Sequence, residues 1–132
     1  RVSFAEGDLG DVHPNTARIT VVTVDGARVL VQGSSLGAGD VEVTLIDDFP
    51  VRLTGELPAR GVVHHDQPGV VAAVSARLAA DVINIASMQV FRERRGARAL
   101  MIIETDGPVP DETAAGISAL PGVIAARSVP AV

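Results

Sequence analysis

His64-His65-Asp66-Gln67-Pro68-Gly69 is the stretch on which the fold turns. Directly before it, Gly61-Val62-Val63 is a short apolar run that reads as a buried strand. Directly after it, across residues 70–81, Val71, Val74 and Leu78 recur at helical spacing among Ala72, Ala73, Ala76, Ala79 and Ala80. The segment between is therefore a tight turn joining a strand to a helix. Asp66 is expected to accept hydrogen bonds from the first free helical N–H groups. Pro68 is pre-set for a first turn, where its missing N–H costs nothing. His64, His65 and Asp66 should then lie beside a helix N-terminus, where backbone donors and the dipole favour a bound carboxylate. Ile83-Asn84-Ile85 opens the next strand, and Asn84 is expected back at the same end of the sheet.

Working outward, residues 83–92 and 97–105 read as a hairpin across Glu93-Arg94-Arg95-Gly96, whose charged tip belongs in water. Pro110-Asp111-Glu112 opens a second helix, with Asp111 as its cap and Ala114, Ile117 and Leu120 on its inner face. Pro121-Gly122 ends that helix, and residues 123–129 form a last strand. The resulting order predicts an α+β, ferredoxin-like βαββαβ unit, an antiparallel sheet with both helices on one face. One face would be free of helices and one edge strand unpaired. A second copy of the chain could cover both, so a homodimer is expected.

Upstream the pattern changes. Residues 18–24 are rich in branched side chains, and Asp25-Gly26 is a strong hairpin signal before a second run at 27–32. Residues 41–46 alternate again, and Asp47-Asp48 turns into Phe49-Pro50-Val51-Arg52-Leu53. This predicts a small, mostly antiparallel, four-stranded β unit. Gly33-Ser34-Ser35-Leu36-Gly37-Ala38-Gly39 interrupts it and reads as a loop. That loop is either a plain connection or an anion-binding or effector-binding loop built on Gly33, Ser34, Ser35, Gly37 and Gly39. It lacks a P-loop lysine, and no long helix follows. Residues 1–56 carry four Arg and nine acidic side chains, whereas 57–132 carry seven of each. Two units, 1–56 and 57–132, joined through Gly55-Glu56-Leu57-Pro58, are the simplest division.

Composition narrows the functional classes. Hydrophobic residues make up 47% of the 132 positions, which suits a globular chain. Aromatic residues are only 2% and the net charge is -5, which argues against nucleic acid as a partner. There is no cysteine, so neither disulfides nor thiolate-held clusters are available. No apolar run approaches the length of a membrane span, and a cytoplasmic protein with no membrane partner is the default expectation. The first residue is Arg1, not Met, which suggests a piece of a longer protein.

With these residues in view, the segment from Ala59 to Val129 resembles the ACT domain, a small regulatory module that binds amino acids. The resemblance rests on His64-His65-Asp66-Gln67-Pro68-Gly69, the helix after it, and Ile83-Asn84-Ile85. Met88-Gln89-Val90, Arg94-Arg95-Gly96, residues 99–104 and Asp106 look most like the ACT domain closing the beta chain of iron–sulfur-dependent L-serine dehydratases. His13-Pro14-Asn15-Thr16, the hairpin and the glycine-serine stretch look like the end of the substrate- or effector-binding domain that precedes ACT there. A similar module ends some D-3-phosphoglycerate dehydrogenases.

The resemblance implies a ligand-binding set of His64, Asp66, Gly69, Asn84 and Ile85, typically at a subunit boundary, that takes L-serine or another small amino acid. No catalytic residue and no metal or cofactor is expected in this chain. A 4Fe-4S cluster and a catalytic alpha chain or domain belong to the parent enzyme, which deaminates L-serine to pyruvate and ammonia. The chemistry is compatible: Asp66 can pair an ammonium, the Pro68-Gly69 helix start and the Asn84 amide can hold a carboxylate, and His64 can bond a hydroxyl. Asp66 departs from the Asn frequent in related serine sites, and Val82 from a helix-ending Gly.

Plainer readings stand beside these. Asp66 alone suffices as an N-cap, Asn84 as a bond to turn backbone, and His64 and His65 as two unrelated histidines. Adjacent strand positions face opposite ways, so the two histidines make a poor metal pair, and His13 is distant. Ser34 or Ser35 with His65 and Asp66 makes a poor hydrolase triad. Met88 and Met101 read as core filling. Three functions follow: the regulatory segment of an L-serine dehydratase, that of D-3-phosphoglycerate dehydrogenase, or a module that only assembles subunits.

Overall fold

The computed structural model describes residues 2–131. Ten elements follow in the order β1 (Thr16–Val22), β2 (Arg28–Gly37), β3 (Asp40–Ile46), β4 (Phe49–Leu53), β5 (Ala59–His65), α1 (Val70–Ala80), β6 (Ile85–Arg92), β7 (Arg98–Thr105), α2 (Asp111–Ser118) and β8 (Val123–Val129). The strands form two four-stranded antiparallel sheets, ordered β1-β2-β3-β4 and β6-β7-β5-β8. The second has the ferredoxin-like order, with its first and third strands at the centre and the apolar runs of β5 and β7 placed where both sides are paired.

Both helices lie on one face of that sheet. Val70, Val74 and Leu78 of α1 and Ile117 of α2 close over Val62, Met101 and Ile103. The buried stripe of α1 includes Val70 where Val71 was expected. Val71, one position on, is turned out of the Val70–Val74–Leu78 stripe and is 38% exposed. On α2 the buried partner of Ile117 is Thr113, with Ala114 only half-buried. A hydroxyl is tolerated there because Thr113 Oγ1 donates to Asp81 Oδ2 at 2.5 Å, and Arg77 reaches the same oxygen at 3.2 Å.

The end of α1 carries local strain. The Val82 N–H donates to the Ala79 carbonyl and the Ile83 N–H to the Leu78 carbonyl, at 3.0 Å each, the paired bonds of a Schellman motif. That motif needs a left-handed residue, and Val82 supplies it at φ 58°, 92% exposed. A β-branched side chain is poorly suited to this backbone region.

The helix-free face of the second sheet is not bare, contrary to the sequence expectation. Phe49, Val51 and Leu53 of β4 pack with Ala59, Leu100 and Ile102, and with Val43, Ile46, Val63 and Phe91 at the margin. The Gln89 side chain fastens this contact by accepting from the Arg52 N–H at 3.3 Å and donating to the Arg52 carbonyl at 2.7 Å.

The glycine-serine stretch is also different from its sequence reading. Gly33, Ser34 and Ser35 belong to β2, paired with Ala17 and Thr16 of β1 on one side and with Val43, Glu42 and Val41 of β3 on the other. Ser34 is buried, its hydroxyl 2.7 Å from that of Thr16. Only Gly37, Ala38 and Gly39 turn, all at positive φ. Pairing on both sides overrides the low strand propensity of glycine. The residues read as an anion-binding loop are therefore largely a continuous strand.

Candidate functional site

Alternation along β5 decides what His64 does. Arg60, Val62 and His64 face the helices, at 5%, 0% and 2% exposure, while His65 points the other way and is exposed. His64 Nδ1 donates to the His65 carbonyl at 2.8 Å, since a carbonyl can only accept. In the neutral ring this bond leaves Nε2 as an acceptor. Nε2 is buried and has no partner among the described residues.

The turn after β5 is built otherwise than its sequence suggests. Gly69, at φ 93°, is the N-cap of α1, and no side chain caps the helix. Pro68 precedes the helix and does not occupy its first turn. The Ala73 N–H makes the first helical bond, to the Gly69 carbonyl at 2.9 Å. The N–H groups ahead of it have no intrahelical acceptor. Asp66 does not cap α1. Its N–H donates to the Ala97 carbonyl at 2.8 Å, and its Oδ2 accepts from the Gly96 N–H at 2.9 Å and from Arg92 at 3.4 Å. The Gly96 N–H, with Arg92 and His64 adding to it, holds the Asp66 carboxyl below the ordinary carboxylate value. Asp66 thus ties the turn to the β6–β7 hairpin. The signal in the sequence is an acid directly after a strand whose neighbour β7 follows an Arg-rich, glycine-ended turn.

Asn84 and Ile85 lie elsewhere. Ile85 pairs with Thr105 in β6–β7, whereas His65 pairs with Arg98 in β5–β7. The 11 residues of α1 carry the chain back along the sheet before β6 begins, so Asn84 cannot return to the end that holds His64. The two ends are separated by the length of β7, roughly 24 Å. At its own end Asn84 Nδ2 donates to Asp106 Oδ2 at 2.8 Å, and the Asp106 N–H donates to the Asn84 carbonyl at 3.3 Å. A single chain therefore holds His64, Asp66 and Gly69 at one end of the sheet, and Asn84 and Ile85 at the other.

The α2–β8 turn closes the first of these ends. The His65 N–H donates to the Gly122 carbonyl at 2.8 Å, and a Cβ on Gly122 would stand 2.6 Å from Gln67 Nε2 and 2.8 Å from Val70 Cγ2.

Comparison with known proteins matches residues 61–122 to the family model "ACT domain". Together with the βαββαβ sheet order, that match is decisive. Residues 61–122 form an ACT domain. The chain is 41% identical over 123 residues to the "Probable L-serine dehydratase, beta chain" of Bacillus subtilis, a span covering 93% of this chain and 56% of that one. It is 27% identical over 115 residues to the "L-serine dehydratase, beta chain" of Peptoniphilus asaccharolyticus, covering 86% and 52%. It is 31% identical over 91 residues to the "D-3-phosphoglycerate dehydrogenase" of Synechocystis sp., covering 69% of this chain and 16% of that enzyme. The chain thus spans about half the length of the serine dehydratase beta chains it matches, and those matches, of 123 and 115 residues, are longer than the ACT domain alone. Among the described residues no helix is long and apolar enough to cross a membrane, and no three His, Asp or Glu side chains cluster as metal ligands.

Proposed function

We propose that this chain is the amino-acid-sensing part of an L-serine dehydratase, with L-serine as ligand and a second protomer completing the site. The observation that carries it is the buried, unpartnered Nε2 of His64 beside the uncapped start of α1. An acceptor lone pair and free N–H groups at one helix start suit a ligand bearing both a hydroxyl and a carboxylate.

Pairing of two copies would bring Asn84 in. β6 is an edge strand of the ACT sheet. If two copies of β6 pair antiparallel about their centre, Ile85 falls opposite Arg92 of the partner subunit. Asn84 of the partner subunit then comes beside the Asp66–Arg92 pair. In this arrangement the α1 N–H groups and the partner's Asn84 hold the carboxylate, and Asp66 Oδ1, which neither Gly96 nor Arg92 uses, meets the ammonium. His64 Nε2 accepts from the hydroxyl. Entry requires the 66–69 turn to shift, which couples occupancy to the position of α1.

Catalysis belongs to other parts of such an enzyme. The iron–sulfur cluster of these dehydratases does not fit the donor set here, since the chain has no cysteine, and its ligands would lie in a catalytic alpha chain or domain. The alignment with D-3-phosphoglycerate dehydrogenase supports a second reading, in which serine is a feedback effector. The adjoining gene sequence separates the two, because that parent carries a dinucleotide-binding glycine fingerprint.

Calorimetric titration tests the proposal. L-serine is expected to bind more tightly than L-alanine by roughly tenfold, the worth of one hydrogen bond of about 1.4 kcal/mol. His64→Ala should erase that preference and Asn84→Ala should weaken both ligands. If neither ligand gives heat or a melting shift at millimolar concentration while the protein is dimeric, the module serves assembly alone.

A further inference from the structure

At the end of the ACT sheet away from His64, a charged side chain is buried without a charged partner. Arg60 is 5% exposed; its Nη2 donates to Ser128 Oγ at 2.7 Å, and its Nε has no acceptor. Among the described residues it belongs to no ion pair. Burial pulls its pKa down, and Asp111 at the start of α2 opposes that through space. The guanidinium nevertheless keeps its proton. A buried cation answered by one hydroxyl is a poor arrangement until an anion joins it.

The surroundings describe the missing anion. Arg60 and Ser128 open on a cavity of about 350 Å³ walled by Pro58, Val109, Val129 and Pro130. The hydroxyl of Thr105, also in the wall, is already engaged with the Gly107 carbonyl at 2.7 Å. The polar groups available to a ligand are thus Arg60 and the Ser128 hydroxyl, set among apolar side chains, in a space at the small end of ligand pockets.

We propose that this cavity binds a small aliphatic monocarboxylate, its carboxylate meeting the Arg60 guanidinium and Ser128 Oγ and its branched body packed against the proline and valine walls. The site is independent of the His64 site and does not rest on the serine-sensing reading.

The test is a thermal-shift and calorimetric comparison on the full chain of isobutyrate, its neutral isostere isobutyramide, and inorganic phosphate. Isobutyrate is expected to raise the melting temperature in a concentration-dependent way, equally in the presence of saturating L-serine and in the His64→Ala variant. Isobutyramide and phosphate are expected to do neither. Arg60→Met should abolish the response. Ser128 is exposed, and Ser128→Ala should keep the fold by circular dichroism while weakening isobutyrate severalfold. Asp111→Asn should strengthen it by removing a repelling charge. An absent response to isobutyrate at ~20 mM, a dissociation constant too weak for a site of this kind, overturns the proposal. An equal response to isobutyramide reduces the cavity to an apolar hole, and an equal response to phosphate makes it a bare anion site; either result overturns the carboxylate assignment. A large loss of stability in Asp111→Asn identifies Asp111 as the counter-ion of Arg60 and overturns it as well.

Discussion

Asp66 is the residue whose role the sequence states least well. An acid ahead of Gln-Pro-Gly is a sound local reason to expect a helix cap, but the Gly96 N–H, 30 positions away, offers a competing donor that local sequence cannot display. The contact makes a pH prediction. The native carboxyl is held below its ordinary value of 3.8, so the stabilisation is fully present above that pH and is lost as pH falls through the lower native value. Urea unfolding across the acid range should show that loss, and Asp66→Asn should remove this part of the pH dependence. Two backbone positions give opposite outcomes. Gly122→Ala combines φ 86° with a Cβ pressed on Val70, and is expected to destabilise by more than ~1 kcal/mol and to weaken any ligand at the His64 end. Val82→Gly relieves a left-handed β-branched residue and should stabilise by about 1 kcal/mol, read as a rise in the urea midpoint at constant slope.

At the scale of elements, legibility followed the strength of local signals. The ACT strands and helices were readable because β5 and β7 are short apolar runs, α1 repeats apolar residues every three to four positions, and glycine or proline marks the turns. The glycine-serine part of β2 was not readable, since its strand state is imposed by two neighbours and not by its own side chains. The position of His64 near the start of α1 was legible, but the end of the sheet at which Asn84 lies was not. Assigning Asn84 to an end of the sheet required counting how far α1 carries the chain. The docking of β4 was likewise hidden, because an alternating strand reports that one face is buried but not against what. Phe49, 4% exposed in that contact, should cost about 3 kcal/mol when replaced by Ala, measured by denaturant unfolding. Gln89→Ala should cost less and act on the same contact, so the double variant should fall short of the sum.

For the whole molecule, the proposed serine site makes assembly and ligand binding one equilibrium. The melting temperature should rise with protein concentration, and sedimentation should show a dimer that L-serine tightens. A concentration-independent melting temperature together with tight serine binding would place the site within one protomer and reject the β6 pairing. β6 then holds two positions at once. Its free edge is where a second copy would join, and its Gln89 grips the backbone of Arg52 in the neighbouring sheet. Any adjustment of that strand on meeting a twin would be felt by the acidic N-terminal part through the Gln89 amide and through Phe91 in the same apolar cluster, and by reciprocity whatever tugs on that part would reset the appetite of the module for its twin.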